Sequence, residues 1–137
     1  MSLTRLVVAG AVGGGLSVFS SGIITGWLFH RYQSLTPETW RREGPVQYTL
    51  SGLLAIFSGA MVGLFYFVTD GVDPIIVTGW AASGLVFGFL LWLAVSLPSI
   101  VGSALYINLH RGVVAGLLLD SLVAQLLMGL ACGWAGR

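Results

Sequence analysis

The stretch GVVAGLLLDSLVAQLLMGLACGW, residues 112–134, decides the fold. It is a continuous apolar run with a single charged side chain, Asp120. Polar and apolar residues do not alternate in it, so it is not a half-buried strand. About 20 apolar residues are needed to cross ~30 Å of hydrocarbon as a helix, and this run is long enough. Lipid offers no hydrogen bonds, so a spanning segment must pair its backbone internally.

Three more stretches of spanning length precede it, at about residues 6–29, 46–69 and 75–100. In the third, apolar character runs past Pro98 through SIVGSALYINL. A helix kinked at Pro98 and extended to about residue 106 is preferred to a separate interfacial helix. The first stretch ends in GWLFHRY rather than at a small-residue cleavage site, so it reads as a retained helix. The expected fold class is all-α, one integral membrane bundle of four transmembrane helices over residues 1–137. Composition agrees. The chain is 56% hydrophobic and only 8% charged, too little charge to cover a soluble surface. A net charge of +1 excludes a basic nucleic-acid footprint. The single cysteine, Cys132, excludes an internal disulfide and reads as a small packing residue.

The connections carry their own chemistry. In TPETWRRE, Thr36 is a candidate N-cap with Pro37 at the first helical position of a short interfacial helix over 37–43, stopped by Gly44–Pro45. TDGVDP at 69–74 reads as a tight turn, with Asp73 capping the third span. The first and third connections hold Arg31, Arg41, Arg42 and Arg111, whereas the opposite side holds Arg5, Arg137 and the acidic turn. The positive-inside rule then puts both termini outside the cytoplasm. Trp27, Tyr32, Trp40, Tyr48 and Tyr106 fall at the Arg-rich interface; Tyr66, Trp80 and Trp134 fall near the other. Trp92 lies deep in the third span and reads as a packing element.

Glycine pairs four residues apart recur in every span: Gly10/Gly14, Gly22/Gly26, Gly59/Gly63, Gly84/Gly88, Gly112/Gly116 and Gly129/Gly133. Small residues at this GxxxG spacing let helix backbones approach where lipid supplies no hydrophobic drive. The pattern predicts a tight bundle, an oligomer, or both. Gly112, Gly116, Gly129 and Gly133 are the expected partner-packing positions of the last span. Stepping by four along that span gives Gly112, Gly116, Asp120, Ala124, Met128 and Cys132; Ser121, Gln125, Gly129 and Gly133 form the adjacent stripe. Leucines fill the rest and are expected to face lipid.

Asp120 therefore sits on the protein-facing side, about 12 Å below the Arg-rich interface at 1.5 Å per residue from Gly112. A bare carboxylate there costs about 2.5–3.5 kcal/mol. Arg111 points to nearly the opposite face of the same helix. At similar depth lie Ser21, Thr25, Ser51 and either Ser96 or Ser99. The expectation is a polar cluster of Asp120 with Ser21, Thr25 and Ser51, lidded by His30 or Arg31. Three readings stay open: hydrogen-bonding glue, a proton or ion site, and a contact to a partner subunit.

LFHR ends at Arg31 and NLHR at Arg111, hinting at a loose two-hairpin repeat. His30 and His110 are the conceivable axial ligands of a b-type haem, although no cofactor is predicted. Interfacial imidazoles beside arginine are the plainer reading. No metal site and no catalytic fingerprint appear: H-E-x-x-H, G-x-S-x-G, a P-loop and a dinucleotide motif are all absent.

GLVFGFLLWLAVSLPSIVGSALY and LLLDSLVAQLLMGLACGW, with Trp92, Asp120, Gly129 and Trp134, resemble an uncharacterised bacterial family of small four-helix membrane proteins. The resemblance implies a four-helix fold and a membrane location, and brings no activity. The resulting expectation is a non-catalytic accessory subunit that meets lipid and other membrane subunits. The alternative is a small homo-oligomeric ion- or proton-coupled carrier or channel using Asp120.

Overall fold

A computed structural model describes residues 2–35, 38, 44–70 and 79–137. Four helices in it are long and apolar enough to cross a membrane: α1 (Leu3–Leu28), α3 (Pro45–Val68), α4 (Trp80–Tyr106) and α5 (Arg111–Gly136). A short α2 (His30–Gln33) continues the chain beyond α1. The described residues contain no strand, and the architecture is an all-α bundle of four helices. The expected interfacial helix at 37–43, with its Thr36 cap, and the cap by Asp73 lie outside the described residues. So do positions 75–78 of the expected third span, whose helix is described from Trp80.

Local chemistry sets the ends. Pro45 occupies the first turn of α3, where its missing N–H costs nothing. After α3, Asp70 takes a left-handed φ of 54°, which a short polar side chain tolerates. Gly79 precedes α4 with φ 99°, a conformation open to glycine. His110 caps α5, its Nδ1 accepting from the backbone N–H of Gly112 at 3.1 Å.

Two helices widen into a π turn. In α1 it spans Ile24–Leu28, where the N–H of Phe29 reaches the carbonyl of Ile24 at 3.0 Å. In α4 it spans Trp92–Ser96, ending two residues before Pro98. Proline has no N–H for the carbonyl four residues back and crowds it, and the wider turn absorbs that defect. The helix then runs on to Tyr106.

α1 packs along α3 on one side and α5 on the other, while α4 packs along the far side of α5. Two seams bring backbones into contact. A Cβ added at Gly10 or Gly59 would strike the other's carbonyl, and one at Gly63 would strike the carbonyl of Leu6. Across the second seam, Gly84 and Gly129 stand in the same relation, and Gly133 faces the carbonyl of Trp80. Gly13 lets α1 approach α5, with Met128 Cα only 2.7 Å from a notional Cβ. Between the seams lies a core of Leu6, Val62, Tyr66, Phe87, Met128, Cys132 and Ala135. The rings of Tyr66 and Phe87 meet edge to face at 4.8 Å, and the Tyr66 hydroxyl bonds Ser83 Oγ at 3.1 Å.

α1 and α5 are thus the inner helices. The leucines of α5 are not a free lipid face: Leu119 is exposed, but Leu117, Leu118, Leu122, Leu126, Leu127 and Leu130 are half-covered by α1 and α4. Large exposed apolar side chains include Phe19 and Trp27 of α1, Leu54 and Phe57 of α3 and Leu105 of α4.

Gly59→Leu drives a side chain into the α1 backbone and should cost about 1–3 kcal/mol of bundle stability, as overpacking does. Gly15→Leu, at a position with open space around it, should leave thermal stability in lipid nanodiscs unchanged. Equal stability of the two variants would show that the first seam does not hold the bundle.

Candidate functional site

Ser21 and Thr25 lie one turn apart on α1, and both point at α5. The Ser21 hydroxyl donates to both oxygens of Asp120, at 2.8 Å to Oδ1 and 2.9 Å to Oδ2. The Thr25 hydroxyl donates to Oδ2 at 3.1 Å. Thr25 stands in the π turn of α1, beside the backbone Ile24 that fixes that turn. The carboxyl group is therefore held in one orientation by two hydroxyls.

Asp120 also lines a cavity of about 530 Å³. Its wall comes from three elements besides α5. α1 supplies Val18, Ser21, Gly22, Thr25 and Gly26, the α2 region supplies His30 and Gln33, and α3 supplies Tyr48 and Ser51. Gly22 and Gly26 have open space where a side chain would be, and their bareness keeps the cavity wide. His30, Gln33 and Tyr48 sit near helix ends, so they form the rim on the Arg-rich side.

The sequence-derived residues divide. Ser21 and Thr25 bond Asp120 directly. Ser51 and His30 face the same cavity, and the Ser51 hydroxyl donates to the carbonyl of Tyr48 at 3.0 Å. Arg31 does not cover the site. Its guanidinium lies 4.8 Å from the centre of the Tyr32 ring and donates to the Tyr32 hydroxyl. His110 does not line the cavity that His30 enters; its ring stacks on Tyr32 at 5.2 Å and its Nδ1 caps α5. Among the described residues no group of three or more His, Cys, Asp or Glu side chains could hold a metal.

The four glycines assigned to a partner are occupied within the chain. Gly129 and Gly133 meet α4, while Gly112 lies under the Tyr32 ring and Gly116 under the Phe29 ring. Val18, Gly22, Gly26, Gln33 and Tyr48 are cavity residues that sequence reasoning did not assign to the site. Two spacings pointed to some of them: Gly22 and Gly26 each follow a site hydroxyl, and Tyr48 lies one turn before Ser51.

A second polar group sits on the other side of α5. Trp92 Nε1 donates to the carbonyl of Leu118 at 3.2 Å and to Ser121 Oγ at 3.0 Å. Gln125 Nε2 donates to Ser96 Oγ at 3.1 Å. Both α4 residues belong to its π turn. Gln125 Oε1 is buried and finds no partner among the described residues; the residue borders a smaller cavity of about 260 Å³ with Ser58, Phe65 and Val95.

No family model, curated protein or solved structure matches this chain.

If water fills the larger cavity, cysteine placed at Gly22 or Ser51 should react quickly with a membrane-impermeant thiosulfonate added on the Arg-rich side. Cysteine at Leu53, on another face of α3, should react at least about tenfold more slowly, because thiolate forms poorly in hydrocarbon. Native Cys132 is fully buried and should stay silent. Equal labelling at Ser51 and Leu53, followed by mass shift, would rule out a wet cavity.

Proposed function

We propose that the chain is a small membrane carrier or channel in which Asp120 is the ion- or proton-binding group. One observation carries this reading: an intramembrane carboxylate is fixed by two hydroxyls at the wall of a cavity of about 530 Å³. Intramembrane acids that face a polar cavity mark ion and proton pathways. A residue serving only as a partner contact would stand on an outer face, and Asp120 stands between α1 and α5.

An accessory-subunit role draws its main support from glycine faces free to seat another protein. In α5 those faces close on the chain's own α4, Phe29 and Tyr32, while Gly15, Gly52 and Gly102 on other helices stay open; the carrier reading is preferred for the carboxyl group beside the cavity. In this reading the Arg-rich connections face the cytoplasm of a bacterial cell, both termini lie outside it, and the cavity opens inward. Copies of the chain associate through the exposed apolar faces of α1 and α3.

The test is flux in proteoliposomes loaded with a pH-sensitive dye and, separately, with a sodium-sensitive one. Asp120→Asn keeps the shape and removes the charge. It should abolish the flux carried by the parent while leaving oligomeric state by native mass spectrometry unchanged. Undiminished flux in the variant would sink the proposal. Heterologous chains travelling with the protein from its own membrane would return it to the accessory reading.

A further inference from the structure

The Asp120 cavity is far larger than a bare ion requires. A water molecule occupies ~30 Å³ of liquid, whereas sites for small organic molecules run about 300–1,000 Å³. At about 530 Å³ the cavity belongs to the second group. We propose that it binds a small organic monocation of the alkylammonium class, with one N–H on Asp120 and a short hydrocarbon tail in the remaining space. This rests on Asp120 being the cation-binding group.

Charge gives the sign and the valence. Among the described lining residues Asp120 is the one acid and His30 the one basic side chain. Arg31, the nearest guanidinium in sequence to the rim, is engaged with Tyr32. One negative charge away from bulk water calls for one positive charge. A divalent metal would want six or more oxygen ligands, several of them carboxylates, and the described lining offers one carboxylate.

Hydrogen-bond valence leaves room for a further donor. A carboxylate offers about four lone-pair positions. The Ser21 and Thr25 hydroxyls bring one proton each, the Ser21 proton shared between Oδ1 and Oδ2. At least one position on Oδ1 stays open, which an ammonium N–H can take.

The rest of the wall fits a tail. Val18, the bare backbones of Gly22 and Gly26, and the Tyr48 ring present mainly carbon. Gln33, His30 and Ser51 offer polar contacts towards the rim. An alkali ion would touch only the small Asp120–Ser21–Thr25 corner and leave this surface unused.

The experiment uses the full chain in phosphatidylcholine nanodiscs, with calorimetric titration of n-butylammonium and sodium. We expect saturable binding of n-butylammonium and weaker binding of sodium. Asp120→Asn should weaken n-butylammonium binding at least about tenfold, the worth of a hydrogen bond to a charged partner. Gly22→Leu leaves the carboxylate and its hydroxyls in place and fills the tail space. It should also weaken n-butylammonium about tenfold or more, by steric crowding. Absence of n-butylammonium binding, with Asp120-dependent flux intact, overturns the organic substrate and leaves the ion site standing. Loss of both overturns both. Binding indifferent to Asp120→Asn and Gly22→Leu places the amine elsewhere and overturns the proposal.

Discussion

In a hydrocarbon solvent helices gain nothing by hiding carbon from water, so they must associate through close fit and hydrogen bonds. This bundle meets that constraint at two seams where a backbone lies on a backbone. Gly10, Gly14, Gly59 and Gly63 join α1 to α3, and Gly84, Gly88, Gly129 and Gly133 join α4 to α5. Each seam makes an antiparallel hairpin. Docking one hairpin on the other through Gly13, Met128 and the Leu6–Cys132 core puts α5 between α1 and α4.

That placement explains why α5 carries polar residues on two sides. Asp120 looks towards α1, where two hydroxyls meet it. Ser121 and Gln125, one and five residues on, look towards α4, where Trp92 and Ser96 meet them. Each polar contact falls at or beside a π turn of the facing helix. A π turn carries one extra residue and so re-aims the side chains around it. In α4 the proline two residues after the turn supplies a local reason for it. In α1 no proline is near, and the turn coincides with Thr25 at the carboxylate.

The number of helices and their character could be read from composition and run length. Helical spacing alone put Ser21 and Thr25 at the right height to meet Asp120. Other features were not legible, for physical reasons. Glycine spacing is visible in a sequence, but a bare Cα does not say which backbone lies against it. Gly22 and Gly26 share the spacing of Gly10 and Gly14 yet border a cavity. The leucines of α5 look like a lipid face because lipid and a neighbouring helix are equally apolar. Arg31 had the length to reach the carboxylate, and the adjacent Tyr32 ring captured its guanidinium instead. His110 proved a helix cap because the N–H of Gly112 was within reach of its ring nitrogen.

Magnitudes separate the roles open to Asp120. Interhelical hydrogen bonds in membranes return about 0.6 kcal/mol on average and ~1.7 at most. Two hydroxyls donate here, so the return is on the order of 1–3 kcal/mol. Placing the acid in the bilayer costs about 2.5–3.5 kcal/mol, leaving glue near break-even at best. An asparagine or serine at position 120 would join α1 to α5 at smaller cost, and a leucine would incur none of it. The carboxylate is therefore an expensive way to hold two helices together. Its expense is met more readily if the hollow beside it holds water or a counter-ion. On the proposed reading, the carboxyl group, the adjacent space and the two bare glycines that border it have one explanation in common, the entry of a cation.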